Sequence, residues 1–282
     1  MSIKSMLVPL SGYEKDATAL VAALALAQRM SAYVDVLHVK PDAREAVPLV
    51  AEGTSAPVIE QIMALAEKEA NARAAAAGRL FKAAVKEAKV AVAGAKAVAG
   101  FRTVTGRAPD EVSRTARVRD LVVMIRVPGA SDIDWRLTLE ATLMESGRPI
   151  LLLPADAAGF GKVVALAWNG SAEAARAASG ALPFLVKAKQ VLLLEGVRGA
   201  ASRPGLAALA EWLARHGVKG KPKRVALKGW PVGGTLVAEA AAAGADLLVM
   251  GGYGHSRLRE TIFGGATRAV LEAAKLPVLI AH

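Results

Sequence analysis

Short apolar runs and longer stretches of helical spacing alternate along the chain, and they do so twice. In the first half, Ile3–Pro9 reads as a strand. Asp16–Ser31 reads as an amphipathic helix with Leu20, Leu24 and Ala27 on one side, and Tyr33–Val39 alternates as a second strand. Asp42–Ala56, punctuated by Pro48 and Gly53, predicts a loop, and Val58–Val92 a long Ala-rich helix broken near Gly78. Strands follow over Phe101–Thr105, Asp120–Ile125 and Ile150–Pro154, with helices over Asp110–Arg117 and Leu137–Glu145 between them. The second half repeats the order. Its strands are Lys162–Trp168, Gln190–Val197, Arg224–Lys228, Leu247–Met250 and Val278–Ala281, and its helices Ala172–Lys187, Gly205–His216, Thr235–Ala243 and Ala266–Lys275. Strands separated by helices argue for an α/β protein with parallel sheets.

Local matches support a duplication. The run Asp120-Leu-Val-Val-Met answers Asp246-Leu-Leu-Val-Met, and Pro149-Ile-Leu-Leu answers Pro277-Val-Leu-Ile. Small residues over Ala155–Gly161 suit a linker, so the expected domains are 1–154 and 162–282, each a doubly wound parallel sheet.

The stretch from Asp246 to the last strand carries the chemistry. An apolar strand ends at Gly251, Gly254 follows, and Gly264 and Gly265 stand directly before a helix. Glycines at a strand's carboxyl end admit close backbone approach, and a glycine pair at a helix start bares N–H groups at the positive end of the dipole. That is a candidate phosphate cradle; ordinary strand–helix turn chemistry is the alternative. A P-loop would need Gly-Lys-Ser/Thr, which is absent, and a dinucleotide fingerprint would need a third glycine where Arg257 stands.

The spacing Gly251-x2-Gly254-x9-Gly264, after an Asp-led strand and before a helix leading to Lys-x-Pro-Val-Leu, resembles the nucleotide-binding motif of the universal stress protein family. The resemblance implies a Rossmann-like adenine-nucleotide fold and a stress-response module holding ATP or another adenine nucleotide in the second domain, with room for Mg²⁺. It also implies a pseudo-dimer within the chain, joined through the last strands, and allows a homodimer. The site would comprise Ala167, Trp168 and Asn169 at the end of the first strand of the second domain, and Gly196 at the end of the next. Met250, Gly251, Tyr253, Gly254, Gly264, Gly265, Ala266 and Thr267 would complete it. Asn169 stands where the family carries Asp, and Gly265 where ATP-binding members carry Ser or Thr. Asn169 also reads as a turn residue, and Ser171 as a cap for the following helix. Gly233-Gly234 reads as a simple turn.

The first copy lacks the motif. On an offset of 128 residues set by Pro149 and Pro277, Gly264, Gly265 and Thr267 fall on Arg136, Leu137 and Leu139. The loop after the fourth strand is Arg126-Val127-Pro128, and a proline has no N–H to offer. The first domain therefore reads as a degenerate, structural partner.

Charge sharpens the picture. The 282 residues carry a net +11, of which 155–282 holds +8, from 16 Lys and Arg against 8 Asp and Glu. That excess favours an anionic ligand as well as a plain basic surface. Aromatics are few and do not interleave with basic blocks, so nucleic acid is not the expected partner. With no cysteine there are no disulfides or thiolate metal sites, and four scattered histidines show no metal spacing. No apolar window reaches the roughly 18 residues of a membrane span, and acidic residues precede the first helix where a signal peptide is basic. A cytoplasmic location follows as an expectation. Glu260 is the lone acid between Gly251 and Gly264, and no nucleophile–base pair is visible, so no catalytic residue is assigned. A slow ATPase and an empty scaffold remain as alternatives to a binding module.

Overall fold

A computed structural model describes residues 2–14, 16–46, 55–92, 98–125, 133–154, 157, 159–197, 205–226, 232–252, 267, 269–270 and 273–282. Among them, ten strands join in one sheet of order β3-β2-β1-β4-β5-β10-β9-β6-β7-β8. The first five are β1 (Ser5–Pro9), β2 (Tyr33–Lys40), β3 (Ala99–Thr105), β4 (Leu121–Ile125) and β5 (Ile150–Leu153). The last five are β6 (Val163–Trp168), β7 (Gln190–Val197), β8 (Gly220–Ala226), β9 (Leu247–Gly251) and β10 (Val278–Ala281). Each set of five runs parallel in the order 3-2-1-4-5. The two sets meet where β5 and β10 pair antiparallel, Leu151 opposite Leu279.

Helices cover both faces, as parallel strands require. On one face lie α1 (Asp16–Met30), α2 (Ala56–Ala88), α5 (Ala172–Leu185) and α6 (Leu206–Arg215). On the other lie α3 (Ala108–Ala116), α4 (Ile133–Glu145) and α7 (Val232–Ala242). The strands are apolar on both sides and divide their residues by parity. Met6, Val8, Leu121, Val123, Leu151 and Leu279 join the core under α1 and α5, while Leu7, Val122, Leu152, Leu248 and Ile280 join the core under α4. Both cores run unbroken across the β5–β10 seam, so the halves share their hydrophobic interior.

Two expectations need correction. The long helix does not break at Gly78: α2 runs 33 residues, about 50 Å. A single glycine costs a helix only about 1 kcal/mol, and here alanines surround it. The space above Gly78 is used, since the Phe101 ring lies 3.7 Å from where its Cβ would be and stacks on Phe81. The strand predicted over Arg224–Lys228 begins at Gly220, and residues 227 and 228 lie outside the described residues. Pro222 disguised it. As an outermost strand, β8 pairs with β7 alone and can carry a residue without an N–H. Among the described residues, no helix is long and apolar enough to cross a membrane.

Two aspartates fix the amino ends of the central strands. Asp120, just before β4, accepts N–H bonds from Lys4 and Ser5 at 2.8 and 2.9 Å and the Ser5 hydroxyl at 3.0 Å. Asp246, just before β9, accepts from the N–H groups of Gly161, Lys162 and Val163 at 2.9, 3.0 and 3.0 Å. This explains why both copies open the fourth strand with Asp. It is a clasp on the neighbouring strand, at the end of the sheet opposite the predicted site.

Candidate functional site

In the second half the strand order reverses at β6, which has β7 on one side and β9 on the other. Ligands in open α/β sheets lie beyond the carboxyl ends of the strands at such a reversal. The register brings the predicted residues together there. Trp168 is opposite Glu195, next to Gly196, and β9 ends beside them at Met250-Gly251. Ala167, Trp168 and Met250 are buried, and Thr267 is 3% exposed. Tyr253, Gly254, Gly264, Gly265 and Ala266 lie outside the described residues, as do His255, Arg257, Arg259 and Glu260.

Asn169 and Ser171 build the turn from β6 into α5. The Asn169 side-chain oxygen accepts the Ser171 N–H at 3.0 Å, Gly170 takes a left-handed φ of +70°, and the Ser171 hydroxyl accepts the Ala174 N–H at 3.2 Å as the N-cap. The oxygen of Asn169 thus works in the turn, and its NH₂ group is the part left to meet a ligand.

Gly251 has a role the sequence did not suggest. A Cβ there would lie 2.6 Å from the Ala174 nitrogen and 2.7 Å from the Glu173 carbonyl carbon, both backbone atoms. The end of β9 abuts the first turn of α5, and only glycine fits. Gly252 is similarly tight: its Cβ would meet Ile280 at 2.7 Å and Leu143 of α4 at 3.3 Å. The glycine run thus begins as packing, wedged between α5 of the second half and α4 of the first. The Gly233-Gly234 pair, read as a turn, lies instead in the first turn of α7 with Gly233 buried, because a helix start tolerates glycine where packing is close.

His282 and Glu173 were not picked out from sequence. His282 Nδ1 lies 3.2 Å from the Gly252 carbonyl, brought there because β10 pairs with β9, Ala281 opposite Gly251. Burial works against the Glu173 carboxylate, yet its own backbone N–H, the Ser171 hydroxyl and the charges of Arg176 and His282 outweigh it and hold its pKa below the usual value. No sequence spacing links residue 173 to residue 282. Among the described residues, no group of three His, Cys, Asp or Glu could hold a metal ion.

The first half differs at the same place. Arg136 and Leu137 sit inside α4, where backbone N–H groups turn towards the helix ladder, and Leu139 is buried in the core.

A parallel α/β sheet with helices on both faces and a strand-order reversal in each half defines a doubly wound, Rossmann-like fold. Residues 172–282 match the family model described as the universal stress protein family, and this half of the chain is a universal stress protein domain. Solved structures extend the likeness of fold to the whole chain. A universal stress protein from Archaeoglobus fulgidus is 17% identical, with 99% of this chain and 96% of that one covered at a TM-score of 0.67. A functionally unknown protein from Pseudomonas aeruginosa is 13% identical over 99% and 92%, at 0.57. No curated protein matches the sequence. The fold along the full length is therefore the tandem form of the universal stress protein fold.

Proposed function

We propose that the second domain, 162–282, binds an adenine nucleotide, ATP in the first place, and that the chain works as a stress-response binding module. The observation that carries this reading is the convergence of Asn169, Gly196 and Met250-Gly251 at the sheet reversal, in the half that matches the family, directly ahead of the glycine spacing at 254 and 264. The described residues suit the nucleoside end of such a ligand. Gly196 presents no side chain, Met250 and Trp168 give apolar surface, and Asn169 offers donors. The +8 charge of this half favours the phosphates. Domain 1–154 serves as the degenerate partner that completes the sheet and both cores.

The test is mass spectrometry of the small molecules released when the purified chain is denatured, beside Gly254→Arg and Gly264→Arg variants. A near-stoichiometric adenine nucleotide that the variants lose supports the reading. If nothing is released and added ATP leaves the melting temperature unmoved, nucleotide binding is refuted.

A further inference from the structure

The first half has a crevice of its own. About 860 Å³ opens beyond the carboxyl ends of β1, β2 and β4, at the first sheet reversal, within the size range of small-molecule sites. Its floor is apolar, with Leu37, Val39, Met124 and Ile125 among the lining residues. The Trp135 indole at the wall is fixed by a 2.7 Å bond from its Nε1 to the Ile125 carbonyl.

The charges at the rim set the class of ligand. Two guanidiniums, Arg73 and Arg107, line the opening. Arg73 lies over the Tyr13 ring at 5.0 Å and, among the described residues, has no carboxylate within 4 Å. Arg107 makes one loose, exposed pair with Asp110 at 3.8 Å, which holds it weakly. Arg107 is also the N-cap of α3 and cannot accept a hydrogen bond, so the positive end of that helix faces the crevice without a side-chain cap. Of the three acids, Asp16 is taken up by the N–H groups of Ser11 and Gly12 and the Ser11 hydroxyl, while Glu45 and Asp134 stay exposed. The two cations and the two exposed carboxylates cancel, so an anion is drawn here by the guanidiniums locally and not by net charge, and a polyanion is disfavoured. The cradle that a polyphosphate needs is replaced here by α4.

We propose that this crevice is a ligand site of the first half that takes a small organic carboxylate with a planar apolar body. The carboxylate pairs with Arg73 and Arg107, and the body lies against Trp135 and the apolar floor. Planar guanidiniums match carboxylates in a bidentate fashion, which favours this head group. The inference is independent of nucleotide binding in the second half.

Phenylacetate is the probe, titrated into the full chain by ligand-detected NMR, with 2-phenylethanol as its uncharged counterpart. Saturable phenylacetate binding is expected, with the alcohol at least about 10-fold weaker because the charge-assisted bonds are lost. Arg73→Met, which keeps the apolar stem, should weaken phenylacetate about 10-fold and Arg107→Met by about 3-fold, the latter being more exposed. Each variant is checked by circular dichroism, and a misfolded Arg73→Met leaves Arg107→Met to decide. The proposal is overturned by absent saturation, by equal binding of the alcohol, or by folded variants that bind like wild type. It is overturned too if ATP displaces phenylacetate from the Gly254→Arg, Gly264→Arg chain, since the crevice would then be a nucleotide site. Failure of the nucleotide reading alone leaves the phenylacetate titration unchanged.

Discussion

Replacing Gly251 by alanine adds one methyl group and tests whether the glycine run begins as packing. Gly251 is not in the left-handed region, so its backbone admits a Cβ and the cost is steric alone. The added carbon would meet the Ala174 nitrogen at 2.6 Å, the Glu173 carbonyl carbon at 2.7 Å and the Glu173 Cβ at 2.9 Å. Two of these atoms belong to the backbone of α5's first turn, whose N–H is already bound to Ser171, so no side chain can rotate away. Relief requires β9 and α5 to part, in a core whose neighbours Leu248, Val249 and Ala174 are almost fully buried. Overpacking of this kind costs about 1–3 kcal/mol, and the rigid partner places Gly251→Ala at the upper end, about 3 kcal/mol. For a chain of this size that lowers Tm by about 5 °C. Thermal unfolding followed by circular dichroism reads the shift. Gly147→Ala is the comparator: its φ is +67° with nothing within 4 Å of the added carbon, so it pays only left-handed strain of about 1 kcal/mol. A Gly251→Ala chain melting within about 1 °C of wild type, or no lower than Gly147→Ala, refutes the packing role.

The aspartate clasps predict matched losses. Asp246→Ala and Asp120→Ala should each cost about 3 kcal/mol in urea unfolding, since each strips an acceptor from three donors; a loss below about 1 kcal/mol for either would mean that water replaces the clasp. Ser171→Ala should cost about 1 kcal/mol through the lost cap of α5, with Ser171→Thr largely restoring it. His38 is 1% exposed, and burial pushes its pKa below the ordinary value, aided by Arg73 and opposed by the Leu10 carbonyl and Asp16. The unfolded chain then binds the proton more tightly, so His38 costs nothing above an unfolded pKa of about 6.5, and stability falls as pH drops below it. The urea midpoint should fall between pH 7.5 and pH 5.5 more steeply in wild type than in His38→Gln; parallel slopes would remove His38 as the cause.

Most of the fold was legible because its strands are buried on both faces and written as unbroken apolar runs, with Pro and Gly marking the turns. The departures have local causes. Lys221-Pro222-Lys223 hides β8, since an outermost strand is polar and tolerates proline, and Gly78 mimics a break inside a helix that its alanines sustain. At the site, periodicity located the strand ends that carry Asn169, Gly196 and Met250, because strand ends are where apolar runs stop. The contacts of Gly251 with α5 and of His282 with Gly252 were not legible. They join residues about 80 and 30 positions apart through sheet register, and a single residue type carries no mark of its distant neighbour.

The two halves diverge at one end of the sheet and agree at the other, and the physics of the fold accounts for this. At the amino ends, Asp120 and Asp246 each bind backbone donors of the adjacent central strand, so either loss would strip an acceptor from part-buried N–H groups. That constraint belongs to the sheet and falls equally on both copies. At the carboxyl ends of β1 and β6, the turn into the next helix is built differently in the two copies. There β1 leads into a Ser11–Asp16 bond while β6 leads into the Asn169–Ser171 turn, and α4 covers positions where the second half carries glycines. A fold joined through β5 and β10 thus keeps a reversal point in each half, at β1 and at β6, while leaving the turns there free to differ. One reversal point can change its turn without loosening the core that the other depends on, because Leu151 and Leu279 are held by pairing and burial.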